Sequence, residues 1–508
     1  MRRLFLLFLC AVLLCGCTGK GEYVPTGDGL NWDEDYTGPT YTQETEPSEQ
    51  ALSISYYPEE TMNPLECTDF TNRALFSLLY QGLFIVDRDY NVEPMLCKQY
   101  SMAEDMRSYT FYIEQATFSD GSLLRAQDVA ATLNAAKSST YYSGRFLHIK
   151  EITLTEDGGV KISLDTPCEN LPVLLDIPIL KESELTSTQP LGTGPYAYSG
   201  ADLLRRRTDW WCKADMAATA NTVSLRPAQS PSQIRDSFQF EDLSMVYADP
   251  GSDEYVDYRC DYELWDCENG IFVYLAFSAN SAVFANNDLR AAVTYAIDRD
   301  TLAESHYRGF GRSACLPASP LSPYYNKTLA DQYAMDTERF KQAVTAAQLP
   351  EGTTVSLLVN SDDTLRLRVA RAIAQMLTEG GLPTTVKEMS GKDYTYTLQA
   401  KDFDLYLGQT RLSPNMDLSA FFSSSGALST GGVANVAAYA LCQQALENHG
   451  NYYTLYQTVM NNGLLCPVVF RSYAVYANRG LITDLTPARD NVFYYSLGKT
   501  MEEAYIRQ

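Results

Sequence analysis

Apolar side chains recur at Leu289, Ala292, Val293, Ala296 and Ile297, the i, i+3, i+4, i+7, i+8 spacing of one helix face. Asn287 or Asp288 can cap that helix, and Asp298 can cap a second short one carrying Leu302. Gly309 and Gly311 stop the helical pattern, and Pro317 and Pro320 force an extended exit. The same spacing predicts a helix over 74–84 from Leu75, Leu78, Leu79 and Leu83, and another over 126–136. Leu365, Val369, Ala372, Ile373, Met376 and Leu377 predict a further helix, closed by Gly380-Gly381. Elsewhere the period falls to two. Residues 51–55, 108–113 and 384–389 read as strands, and 151–155 and 159–164 flank Asp157-Gly158-Gly159 as a hairpin. Helices alternating with strands in this way predict an α/β fold.

The length of 508 residues calls for two or three lobes, at about 100–200 residues each. A net charge of −24 argues against nucleic acid, because too few cations are present to displace phosphate counterions. The three histidines, His148, His306 and His449, are scattered, and no HExxH, GxSxG, Walker or GxGxxG motif is present. We therefore expect no enzyme, no metal and no cofactor. Of twelve cysteines, Cys10, Cys15 and Cys17 lie in the first 17 residues, leaving nine, an odd number that cannot all pair. Cys260 and Cys267 are close enough in sequence to bridge a loop, although spacing does not establish the geometry.

Arg2 and Arg3 precede an apolar run, Leu4 to Leu14, too short to span a bilayer, which is the pattern of a signal peptide over 1–16. Leu14-Cys15-Gly16-Cys17 resembles a bacterial lipobox, which implies a diacylglycerol on Cys17. Residues 17–50, rich in Gly, Thr, Pro, Glu and Asp, predict a flexible tether between lipid and body.

Several blocks, in order, resemble the extracytoplasmic peptide- and nickel-type substrate-binding proteins of ABC transporters, the family 5 solute-binding proteins. They are Met62-Asn63-Pro64-Leu65, Phe118-Ser119-Asp120-Gly121, Gly192-Thr193-Gly194-Pro195-Tyr196, the 286–320 helix pair, Asp402-Phe403-Asp404-Leu405 and Cys466-Pro467-Val468. Gly192 and Gly194 are expected to supply positive φ. The resemblance implies a two-lobed periplasmic-binding-protein-like fold of type II with an extra inserted subdomain. Lobe I is expected at 51–80, 188–270 and 464–508, the insertion at 81–187 and lobe II at 271–463.

The implied function is to capture a peptide or similar small solute between closing lobes and deliver it to an ABC permease. The protein would be a monomer held by Cys17 on the outer face of the bacterial cytoplasmic membrane. The alternatives are a lipid-anchored sensor or docking protein of the same fold, or transport of a non-peptide solute. Many peptide-binding relatives carry a G-W-x-x-D pattern whose aspartate pairs with a peptide's ammonium terminus, and here Gly408 is followed by Gln409, Thr410, Arg411 and Leu412. Gln409 takes the Trp position and Leu412 the Asp position, leaving a buried ammonium without its partner. Arg411 and Arg471 either present guanidinium forks to an anion or are solvated, and Asp417 is a further candidate for an amine. Asn63, in a turn that the resemblance places beside the cleft, completes the candidate set.

Overall fold

The alternating run after residue 51 forms the strand Leu52–Tyr56, with Leu52 and Ile54 buried. The computed structural model describes residues 52–507, apart from 213–219, 254, 256, 483 and 490. The expected signal segment 1–16, Cys17 and the 17–50 tether lie outside the described residues. Leu52–Tyr56 belongs to an eleven-stranded mixed sheet. On one side of that sheet lie Met245–Ala248, Leu52–Tyr56, Thr222–Pro227, Leu203–Arg206 and Tyr196–Tyr198, and on the other Leu405–Arg411, Val355–Asn360 and Thr384–Met389.

Two long antiparallel strands, Tyr262–Phe277 and Cys466–Asn478, join the two sides. Met245–Ala248 pairs with the far end of Cys466–Asn478, while Leu405–Arg411 pairs with the far end of Tyr262–Phe277, so each side hangs from opposite ends of the crossing pair. The pairing breaks register between Glu268 and Phe272. Gly270 lies in that break at φ +73°, and a Cβ there would come within 2.7 Å of an Arg489 guanidinium nitrogen, so only glycine fits. Two smaller sheets use residues 84–164, one of two strands and one of four.

Helix Ala126–Ala136 has the predicted bounds, with Val129, Leu133 and Ala136 buried and the Asp128 carboxylate accepting the Arg125 amide. Thr364–Glu379 buries Leu365, Val369, Ile373 and Leu377, and Gly381 at φ +94° ends it. The hairpin forms with Gly158 at φ +87°. Helix Asn287–Ala292 and helix Arg299–Ser305 flank a 3-10 turn at Val293–Ala296, and the whole predicted stripe is buried. Asp298 caps the second helix as expected, but the first is capped one position earlier, by Asn286, whose side chain accepts from the amides of Asp288 and Leu289.

Two expectations need correcting. The run over 74–84 is not one helix: Asp69 caps Phe70–Arg73, a second turn runs Phe76–Leu79, and Phe84–Val86 is a strand. Gly82 marks the change, since a Cβ there would lie 2.8 Å from the Asp176 backbone, and Phe84 then pairs with Pro94. Gly192 and Gly194 do not use positive φ. They are small because the chain passes against another backbone, where a Cβ would stand 2.1 Å and 2.4 Å from the Leu79 carbonyl. Cys260 and Cys267 are free thiols, and that of Cys267 donates to the Arg489 carbonyl.

Candidate functional site

Where the crossing strands meet the two sides of the sheet, a cavity of about 60 Å3 is enclosed by side chains from distant segments. The short helix after Asp69 supplies Phe70 and Arg73, the turn after Ala136 supplies Tyr141, and Met245–Ala248 supplies Tyr247. The strand Leu405–Arg411 ends in Arg411, the crossing strand adds Tyr473, and the C-terminal stretch adds Arg489 and Val492.

The aromatic wall is tightly interlocked: Phe70 lies 5.9 Å from Tyr247 and 5.0 Å from Tyr473, and Tyr247 lies 5.4 Å from Tyr473. Burial raises the Tyr247 hydroxyl well above its usual pKa, so the ring stays neutral. The Arg73 guanidinium sits 3.2 Å from the Tyr141 ring centre and that of Arg411 4.5 Å from it, so one ring serves two cations. Arg73 is anchored from behind by the carbonyls of Pro64 and Cys67 and by the Tyr142 hydroxyl. Arg489 donates to the Leu412 carbonyl and to the Tyr90 hydroxyl, which itself donates to the buried Glu268. The guanidiniums of Arg73 and Arg489, held by backbone carbonyls, and that of Arg411, stacked on Tyr141, can present planar donors to an anionic or carbonyl-bearing group, with flat rings for the rest of a ligand.

A second cavity of about 60 Å3 shares Arg73 and Arg489 and runs on past Phe76, Tyr80 and Phe84. A larger opening, about 810 Å3, is a groove lined by Tyr324, Tyr452 and Tyr494, with no lining residue on either crossing strand. Among the described residues no group of three or more His, Cys, Asp or Glu could hold a metal ion.

The residues singled out from sequence do not all converge. Arg411 lines the cavity. Gln409 accepts from Arg471 at 3.3 Å, and the buried Arg471 also donates to Asp249 at 2.6 Å, one residue beyond Met245–Ala248. Thr410 pairs with Phe272 in the sheet, and Leu412 is buried with its amide on the Gly270 carbonyl. Asp417 accepts from His148 at 3.1 Å and from the Ser419 amide. Asn63 is fully buried and spends its side chain on the carbonyls of Leu185 and Ser187 and the amide of Leu65. Arg73, Tyr141, Tyr247 and Arg489 carry no local motif and were missed.

Two halves of one mixed sheet, joined by two crossing strands with a side-chain-lined cavity at the crossing, define a two-lobed α/β solute-binding protein of type II. The chain belongs to the bacterial extracellular solute-binding proteins, family 5, whose middle region matches residues 91–430. The glutathione-binding protein GsiB of Salmonella typhi is 22% identical over 360 residues, 67% of this chain and 70% of GsiB. The ABC transporter substrate-binding protein CtaP of Listeria monocytogenes shares the fold at a TM-score of 0.71 and 18% identity, over 87% of this chain and 97% of CtaP. AppA of Clostridium difficile does so at a TM-score of 0.72 and 16% identity, over 87% and 98% of the two chains. As a member of this family the protein works outside the cytoplasm, as the solute-binding component of an ABC importer.

Proposed function

We propose that the solute carries an anionic group, a carboxylate in the simplest case, and docks it against Arg411 with Arg73 and Arg489 close by. The observation that carries this reading is the convergence of three guanidiniums and four aromatic rings on one cavity at the crossing strands. Gln409 and Arg471 would act behind Arg411, as a polar brace running to Asp249. Thr410 and Leu412 would hold the strand end in register, while Asn63 and Asp417 fix turns rather than touch the solute. The lobes would divide near Gly270 and residue 463, with 81–187 as the insertion, and close about the register break. The protein would act as a monomer without catalytic chemistry, anchored through Cys17 to the membrane that holds its permease.

Thermal-shift measurements on the purified chain test the ligand class. The probes are glutathione, its ester, free and carboxyl-blocked short peptides, and neutral sugars. Anionic probes should raise the melting temperature, esterification should abolish the rise, and Arg411→Ala should weaken it. Stabilisation by esters or sugars that Arg411→Ala leaves intact would refute the anion reading.

A further inference from the structure

Three contacts run in step between the segment 141–148 and the segment 411–417. Arg411 packs on the Tyr141 ring at 4.5 Å, Ser413 donates to the Gly144 carbonyl at 3.4 Å, and Asp417 meets His148 Nε2 at 3.1 Å. The first pair is the wall of the solute cavity itself. The last lies six residues beyond Arg411 and seven beyond Tyr141, and its side chains are only 9% and 12% exposed. His148 also places Nδ1 3.3 Å from the Asp165 carboxylate, so one imidazole bridges two acids. We propose that His148 is a positioning residue for solute binding, a clasp that in its protonated form holds the Tyr141 wall against the Arg411 wall and releases it when it loses its proton.

The surroundings support the sign. Burial works against a charged ring, but the carboxylates of Asp417 and Asp165 outweigh it, and the His148 pKa stands above its usual value. Burial pushes the Cys168 thiol up to about 12, raises that of Cys442, and raises the Tyr439 hydroxyl. Arg145, on the neighbouring turn, is engaged by Asp176, and Arg107 reaches the carbonyl of Asp165 rather than its carboxylate. The exposed Lys150 follows two residues on. Further along the same seam the Glu169 carboxylate accepts the His449 amide, and His449 is lowered by burial against the pull of Glu169. A ring whose pKa is raised in the clasped state stabilises that state fully below its free pKa. The stabilisation is lost as pH climbs through the raised value.

The clasp rests on reading Tyr141 and Arg411 as walls of the solute cavity, but its test needs no solute, so it can fail while the ligand reading stands. Amide exchange of the full chain is followed at about pH 5.5 and about pH 8.5, either side of the ordinary histidine range, after correction for intrinsic rates. Protection of 141–148 and 411–417 should fall at the higher pH, by about tenfold for each unit separating clasped and free pKa values. Helix Thr364–Glu379 should show no such fall. His148→Gln should remove the pH response, and Asp417→Asn should reduce it if His148→Gln folds poorly. With three histidines in the chain, selective carbon-13 labelling yields the His148 titration directly. A pH response that survives His148→Gln, a wild-type seam indifferent to pH, or a His148 pKa at or below the ordinary value would each overturn the clasp.

Discussion

Arg299 opens the second helix of the pair, and its buried side chain reaches in two directions. Nε donates to the carbonyls of Ala314 and Pro467 at 3.1 and 2.9 Å, while Nη1 donates to those of Thr294 and Ile297 at 3.0 and 3.3 Å. Nη2 adds the Thr294 hydroxyl at 2.7 Å. One cation thus rivets the 3-10 turn, the exit loop and the crossing strand Cys466–Asn478. Arg299→Met keeps most of the apolar bulk but removes donors from four buried carbonyls. At about 1 kcal/mol for each, the loss is about 4 kcal/mol. For a cooperative unit of lobe size that corresponds to a melting temperature lower by about 8–16 °C. Arg299→Lys should recover less than half, because an ammonium cannot serve both directions at once. Circular dichroism melts of the three proteins decide it. A drop under about 2 °C for Arg299→Met, or full recovery with Lys, would refute the rivet.

Arg471→Met should cost about 3 kcal/mol by stranding the partly buried Asp249, more than Arg471→Met with Asp249→Asn together, in denaturant titrations. Equal losses would show that the pair is not coupled. Gly194→Ala should prevent or severely weaken folding despite unstrained φ, since the new methyl meets the Leu79 carbonyl backbone at 2.4 Å. Soluble protein with an unchanged melting temperature would contradict it.

The local pattern made much of the fold readable. Val129, Leu133 and Ala136 announce their helix because a single face packs on the core, and Gly158 announces its hairpin because few other residues tolerate φ +87°. Sequence misplaced the elements decided by distant neighbours. The leucines at 75–83 fit a helix, yet the Asp176 backbone at Gly82 and the Pro94 strand edge divide them. Gly192 and Gly194 looked like turn residues, and nothing nearby hints that Leu79 presses on both. The cavity was the least legible part. Arg411 stood out as a departure from a pattern, but Arg73, Tyr141, Tyr247 and Arg489 come from four segments up to 416 residues apart and meet only in three dimensions. Arg471 looked like an equal of Arg411, and its pairing with Asp249 crosses a gap of 222 residues.

The crossing strand Cys466–Asn478 pairs with Met245–Ala248, Tyr262–Phe277 and Gly311–Ser313, so the middle of the sheet is the last part of it to be synthesised. Leu52–Tyr56, by contrast, is made early and lies beside Met245–Ala248 and Thr222–Pro227. Until residue 478 emerges, Met245–Ala248 has no strand to close against on that side, and its edge is open to any passing chain. Such long-range closure holds completion of the sheet back until its last strand has been synthesised. For a protein that works outside the cytoplasm, the consequence is a chain that cannot finish its sheet while it is still being made.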